Sequence, residues 1–460
     1  MKADIGHLKI CYIGGGSRNW AWVLLQDLGF ENDIKGTVDL YDLKNEAAQD
    51  NAIIGNRLMA EHNPGQWTFK ANPSLQDALM GSDFVFISIL PGDFEEMAVD
   101  VHAPEQYGIY QSVGDTVGPG GLVRAMRTIP QFQKIAQAIK TWAPDAWVLN
   151  YTNPMTICTR TLYREFPGIK AFGCCHEVFH TQELLRTVLE EAKVIPENTV
   201  KRDAIKTRVL GINHFTWMDR ATYKNIDIFP YYQAFVAQYG ETGFEKPGPL
   251  TWRNDYFSCA ERVKMDLFRR YGCIACAGDR HLAEFCPHSW YMHSPEQVQT
   301  WMYSLTPVSF RIEKREQLER KARAYREGTE KMEPVASGEE GIRIMKALLG
   351  LEDIVTNVNL PNQGQMPDFP GGAVVETNAL FSRDRIQPLV SDGLPVDIRS
   401  LVMPHVYSQE GIVEATFERD REKAFRVFSH DLSIQTLSLK DARKLFDDMT
   451  TKTLHGQWEN

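Results

Sequence analysis

Cys174, Cys175, His176 and Glu177 stand side by side after Gly173. A thiol, an imidazole and a carboxylate in one loop can ligate a metal or move protons. The mostly apolar run Ile169-Lys170-Ala171-Phe172 leads into them and reads as a short strand. Loops at strand ends are where open α/β sheets take their ligands. Taken alone the residues are ambiguous, because a buried Cys is often a small hydrophobe and a lone His is often only hydrogen-bonded structure. His214 stands beside Asn213 at the bend of a strand–bend–strand pattern over 207–217, where a loop His is available as a ligand. Gly278-Asp279-Arg280-His281 gathers an acid, a guanidinium and an imidazole in what reads as a loop after an amphipathic helix over 255–271. A surface ion-pair cluster would look the same. Cys273 and Cys276 form a C-x-x-C with no second pair at zinc-finger spacing, and read as structural.

The elements that position these groups begin at the N-terminus. Lys9-Ile10-Cys11-Tyr12-Ile13 is an apolar strand that runs into Gly14-Gly15-Gly16-Ser17, and Trp20, Val23, Leu24 and Leu28 then recur at helical spacing. Strand, glycine turn and helix form the order a dinucleotide site needs. Glycine lets the backbone approach a pyrophosphate, and the helix N-terminus offers N–H groups to it. The match to G-x-G-x-x-G is incomplete, with Asn19 at the third glycine. Asp42 closes a second strand, Thr37-Val38-Asp39-Leu40-Tyr41, where an acid accepts the ribose hydroxyls and repels the extra phosphate of NADP. Further strands are expected at 67–70, 83–89 and 147–149, the fourth almost continuously apolar, as a sheet covered on both faces requires. Asn153 precedes Pro154 and so favours extended backbone, projecting its amide from the fifth strand. The glycines between 114 and 121 suggest a loop near the ligand, because so many glycines are costly in a core.

The architecture expected is α/β: an N-terminal Rossmann-like, doubly wound parallel sheet over 1–195 and a mixed α/β C-terminal substrate domain over 196–460. In the second part, mixed charge over 311–332 reads as a solvated helix with i,i+4 pairs. The prolines and glycines of 361–372 read as loop, a strand resumes at 372–377, and two helices over 408–428 and 438–449 finish the chain. A formal charge of −10 over 460 residues argues against nucleic acid, though local Arg or Lys can still meet an anionic substrate. No apolar stretch reaches the roughly 18 residues of a membrane span. The segment 1–7 has no apolar leader core, so a cytoplasmic protein with free thiols is expected.

The order of these segments resembles glycoside hydrolase family 4, the NAD- and metal-dependent glycosidases, over nearly the whole chain. The resemblance rests on the glycine turn, on Gly114-Asp115-Thr116 through Arg124-Ala125-Met126-Arg127-Thr128-Ile129-Pro130, on Asn150-Tyr151-Thr152-Asn153-Pro154, on the cysteine loop and on Gly211-Ile212-Asn213-His214. Cys175-His176-Glu177-Val178 is similar to the form of the cysteine motif found in α-galacturonidases. The resemblance implies a first domain like that of lactate and malate dehydrogenases. It implies hydrolysis by transient oxidation: NAD removes hydride from C3 of the sugar, the C2 proton becomes acidic, and a divalent cation, usually manganese, stabilises the resulting charge. The glycosidic oxygen then leaves by elimination, water adds, and the hydride returns.

Residue by residue, the resemblance makes Cys175 and His214 the metal ligands and His176 the acid that protonates the leaving oxygen. Asp279 is the base at C2, and Asn153 and Asp115 lie at the substrate. Gly14, Gly15, Gly16, Ser17 and Asp42 hold the cofactor. Arg280 is the candidate to meet a uronate carboxylate, against a salt bridge to Asp279 as the alternative. Thiolate ligation points chemically to zinc or iron more than to manganese, which therefore rests on the resemblance. The substrate expected is a small uronide, and the protein a homo-oligomer, dimer or tetramer. Rival readings are an α-galactosidase or α-glucosidase of the same family, an NAD-consuming dehydrogenase of a hydroxy or sugar acid, and a nucleotide-binding sensor without catalysis.

Overall fold

The computed structural model describes residues 5–246, 248–456 and 458. Residues 1–4, where the segment read as lacking a leader begins, lie outside the described residues. The nucleotide half supplies β1 (Leu8–Ile13), β2 (Gly36–Tyr41), β3 (Trp67–Ala71), β4 (Phe84–Ile87), β5 (Trp147–Asn150) and β6 (Lys170–Gly173). They pair in parallel in the order 3-2-1-4-5-6, so the direction of winding reverses between β1 and β4. Both faces of this sheet are buried, which is why its strands read as apolar runs. On β1 the alternation is explicit. Ile10 and Tyr12 pack with Trp22, Leu25 and Leu58 of the helices Trp20–Leu28 and Asn45–His62. Cys11 and Ile13 pack with Phe132 and Ile139 of the helix Gly118–Trp142.

The second half contributes β7 (Ile205–Ile212), β8 (Phe215–Tyr223), β9 (Ile226–Asp227) and β10 (Ile274–Ala275), a small sheet of its own. It also extends the first sheet with β11 (Ile354–Pro361), β12 (Val374–Ser382) and β13 (Arg385–Pro388). These three run antiparallel, and β11 lies against β6 with Asn359 opposite Gly173.

Several expected elements differ. The helix expected over 255–271 runs only over Arg262–Tyr271, because Glu261 takes left-handed backbone (φ +58°) and breaks it. Asp279, Arg280 and His281 are not in a loop but in the first turn of the helix Asp279–Phe285. Gly118 to Gly121 open the helix Gly118–Trp142 and are packed, not looped out; a Cβ on Gly121 would meet the Thr116 carbonyl carbon at 2.5 Å. The charged helix spans Val308–Glu327, but instead of i,i+4 pairs it has Arg326 beside Glu327 and three ion pairs to other elements: Arg315 to Asp93, Glu319 to Arg18 and Arg326 to Asp50. The first of the two expected final helices is two, Val396–Glu418 and Arg421–Ser429, divided at left-handed Arg419. The last is Leu439–Leu454. No helix of the described residues is long and apolar enough to cross a membrane.

Candidate active site

Strand register brings the expected site segments to one edge of the sheet. Ile13 lies opposite Tyr41 and Ile87, Ile87 opposite Asn150, and Asn150 opposite Gly173. The residues that follow these positions, Gly14, Asp42, Ser88, Tyr151 and Cys174, therefore leave the sheet side by side. From β1 to β6 is three strand spacings, roughly 14 Å. The helix Trp20–Leu28 closes part of that gap, with the Trp20 ring 5.6 Å from the His176 ring. The glycine turn and the cysteine loop thus border one region.

The glycine turn cannot accept larger residues. Gly14 has φ +92°, and a Cβ there would fall 2.0 Å from the Ser88 carbonyl oxygen. A Cβ on Gly15 would fall 2.7 Å from the Leu40 Cβ, and one on Gly16 would lie 2.9 Å from Asp42 Oδ2. The Gly16 N–H donates to Asp42 Oδ2 at 2.9 Å, which fixes the carboxylate beside the turn. Ser17 Oγ accepts the Trp20 N–H at 3.1 Å and so shapes the helix start. Sequence reading missed Asn51, which is fully buried. Its Nδ2 donates to the carbonyls of Gly15 (2.8 Å) and Ser17 (2.9 Å), while its Oδ1 accepts the Trp22 Nε1–H. A glycine cradle with an acid fixed beside it at a strand end fits a dinucleotide.

Cys175 is buried in the loop before the helix Glu177–Glu191. Burial raises its thiol, with Glu376 and Glu177 adding to the rise, while a hydrogen bond from Asn213 opposes it. Asn213 and His214 form the turn between β7 and β8, with His214 in left-handed backbone (φ +63°). Both loops are anchored to one carboxylate. Glu376 on β12 accepts from Asn357 Nδ2 at 2.7 Å and from Asn213 Nδ2 at 3.2 Å, and Asn357 Nδ2 also reaches the Cys175 carbonyl. Glu376 and Asn357 were not singled out in the sequence, although a polar residue in an otherwise apolar, doubly covered strand is the signal that finds them.

His214 loses proton affinity through burial, against the opposing pull of Glu177 and Asp115. Its Nδ1 lies 3.2 Å from Thr116 Oγ1, which donates to Asp115 Oδ1 at 2.7 Å. A buried thiol that accepts a hydrogen bond from Asn213, the residue before a buried imidazole oriented by Thr116, fits a divalent cation whose remaining positions are oxygen donors. Two further groups of donors lie within 4.8 Å of one another: His176, Glu177 and His180, and Cys259, Glu261 and Asp279. The second is already occupied by a protein cation, Lys264 Nζ at 2.6 Å from Glu261.

His176 lies just before the helix Glu177–Glu191, with Nδ1 3.1 Å from Glu339 Oε1. Burial lowers its basicity, but Glu339 and Glu177 more than offset this and raise it. Glu177 is held by groups of the protein itself. Its Oε2 accepts the Gly278 N–H at 2.8 Å, and its Oε1 stands 3.9 Å from His176 and 3.8 Å from His281. Although burial opposes it, His281, His180, His176 and His214 together hold its carboxyl far below the usual range. His281, unassigned from sequence, lies with its ring 4.0 Å from that of His214. Burial and His214 pull it down to about 3, so it is neutral.

Asp279 departs from the expected geometry. Both oxygens accept backbone N–H groups, of Val263 (3.1 Å) and Lys264 (3.0 Å), capping the helix Arg262–Tyr271. Burial and Glu261 push its carboxyl up. The alternative salt bridge from Arg280 to Asp279 is not formed, and Arg280 has no ion-pair partner among the described residues. Asp115 is pulled down to about 2 by Arg124, Arg311, His281 and His214, against its burial. Asn153 Oδ1 is buried without a hydrogen-bond partner, a free acceptor at the end of β5.

Residues 9–191 match the family model described as family 4 glycosyl hydrolase, and residues 209–434 match its C-terminal domain. The chain is 57% identical to an α-galacturonidase of Thermoanaerobacterium saccharolyticum, over 97% of this chain and 96% of that one. It is 49% identical to an α-galacturonidase of Bacillus subtilis, over 97% and 98%. A Bacillus subtilis crystal structure described as a glucosidase, LplD, superposes with a TM-score of 0.91 at 48% identity, covering 96% of this chain and all of that one. A 6-phospho-α-glucosidase from gut microorganisms, solved with NAD and Mn2+, shares the fold at 20% identity and a TM-score of 0.79, over 97% and 98%. The cysteine loop, the glycine turn and the His214 turn thus occur together within a matched pair of domains, and the chain belongs to the family 4 glycosyl hydrolases.

Proposed function

We propose that the protein hydrolyses α-galacturonides, with NAD at the glycine turn and a divalent cation, manganese, at Cys175 and His214. The observation that carries this is the shared edge of the sheet, where the cysteine loop of a chain 57% identical to an α-galacturonidase faces the glycine turn across the 5.6 Å contact of His176 with Trp20. NAD would supply a reversible hydride acceptor and the cation a Lewis acid, so that the glycosidic C–O bond is broken by elimination, water adds, and the sugar is restored with no net redox change.

The chain's own residues bind and move protons. Gly14, Gly15, Gly16 and Ser17 let the cofactor approach the backbone, and Asp42 accepts ribose hydroxyls. His176, made more basic by Glu339, delivers a proton to the leaving oxygen. Asn153 Oδ1 accepts from a sugar hydroxyl, Asp115 borders the same space, and Arg280 faces the uronate carboxylate. Asp279 is the base of this reading only where substrate binding draws it off the Val263 and Lys264 N–H groups; its raised carboxyl suits proton transfer near neutrality. The eight free cysteines suit a cytoplasmic protein, where Cys175 stays reduced.

The test is incubation with NAD, Mn2+, a thiol and a nitrophenyl α-galacturonide. Nitrophenol is expected without net NADH. Steady NADH formation from a free sugar acid, with no glycoside cleavage, would instead establish a dehydrogenase. Faster cleavage of the galactoside or glucoside would reassign the sugar.

A further inference from the structure

Two guanidinium groups beside the candidate site feel neighbouring carboxylates but form no ion pair within 4.0 Å among the described residues. Arg280, in the first turn of the helix Asp279–Phe285, is 7% exposed, and Arg311 belongs to the first turn of the helix Val308–Glu327. The Nε–H of each is buried with no hydrogen-bond partner, and neither side chain has an ion-pair partner among the described residues. Their guanidinium carbons lie 4.9 Å and 5.9 Å from the centre of one ring, Phe257. Burial, with the Arg311 charge second, brings the Arg280 guanidinium down to about 10. Arg315, one turn further along the same helix, already has Asp93 at 3.4 Å. Like charges brought together over one ring and left unpaired are costly, and the cost is recovered when an anion enters.

Neighbouring acids act on the pair through charge only, because their hydrogen bonds go elsewhere. Glu284 spends Oε1 on the N–H groups of Val113 and Gly114. Asp115 accepts from Thr116, and Glu177 accepts from Gly278. The planar fork of a guanidinium matches a carboxylate in two parallel hydrogen bonds.

We propose that Arg311 acts with Arg280 as a clamp on the uronate carboxylate and is a residue that separates a galacturonide from its uncharged counterpart. This rests on the galacturonidase reading above and adds to it a residue from a helix outside the nucleotide half. The pair meets at Phe257, and Arg280 stands next to His281, whose ring lies 4.0 Å from that of His214.

The test compares two competitive inhibitors of nitrophenyl α-galacturonide hydrolysis by the enzyme loaded with NAD and Mn2+: galacturonic acid and its neutral methyl ester. The wild type is expected to bind the acid more tightly. Arg311→Gln is expected to cut the ratio of the two inhibition constants at least tenfold and to raise KM more than it lowers kcat, with NAD affinity unchanged. Arg311→Lys should restore part of the ratio. An unchanged ratio in Arg311→Gln, or equal weakening of both inhibitors, overturns the clamp while leaving the hydrolase reading intact. Absence of galacturonide turnover by the wild type overturns both.

Discussion

Thr116 Oγ1 lies 3.2 Å from His214 Nδ1 and gives its own proton to Asp115 Oδ1. A hydroxyl has one hydrogen, so toward the imidazole it acts as acceptor, and Nδ1 carries the proton. Nε2 is left with its lone pair for a cation. The orientation of a ligand histidine is commonly set by such a partner.

Removing the hydroxyl tests this relationship. Thr116→Val keeps the shape but releases the imidazole, and is expected to weaken Mn2+ binding roughly 10- to 100-fold. Cys175→Ser is expected to abolish metal-dependent turnover while leaving NAD affinity within about twofold, on the order of 0.4 kcal/mol. Isothermal titration of each ligand separates the two effects. Full activity in Cys175→Ser would remove that residue from the ligand set.

His176→Gln tests proton delivery. A leaving group that departs as a stable anion needs little help, whereas an alkoxide needs a proton. The loss in kcat is expected to be about 10²- to 10⁴-fold for an alkyl or sugar aglycone and much smaller for nitrophenol. Equal losses on both would place His176 in positioning, not in proton transfer.

Asn51→Leu tests the tether of the glycine turn. The substitution frees the Gly15 and Ser17 carbonyls and strands the Trp22 indole N–H in the core. It is expected to destabilise the protein by about 1–3 kcal/mol and to weaken NAD by at least tenfold, with Mn2+ affinity at the other loop unaffected. Calorimetry and NAD titration provide the readouts.

Glu284 gives a pH signature for stability. Burial lifts its carboxyl from an ordinary 4.5 to about 7, even though the Val113 and Gly114 N–H groups favour the anion. The folded state therefore holds a proton that the unfolded chain releases. Stability from this group is full below pH 4.5 and declines as pH rises through about 7. Glu284→Gln keeps the acceptor and removes the titration. It is expected to flatten that decline and to stabilise the protein at pH 8 by up to about 3 kcal/mol. Thermal melts between pH 4 and 9 measure it; parallel curves for the two proteins would rule out Glu284 as the source.

What the sequence disclosed follows range of interaction. The glycine turn, Asp42, Asn153 and the Cys-His loop each sit at the end of a strand whose apolar run is local and visible. Arg311 was hidden, because a charged helix looks solvated until it is known which turn faces inward. Asp279 looked exposed beside Arg280, but its partners lie on the preceding helix, 15 and 16 residues back. The helix over 255–271 was overextended because periodicity does not register a single left-handed residue at Glu261. Glu376 and Asn357 join segments more than 160 residues apart, a pairing that only the assembled sheet specifies.

Glu376 also sets an order of assembly. The dinucleotide half leaves the ribosome first and has its parallel strands in hand, since chains generally fold by units as they are made. The cysteine loop and the turn at residue 214 meet their common anchor only after β12 has been synthesised. The nascent protein can thus acquire its nucleotide pocket well before its ligand loops are locked in place.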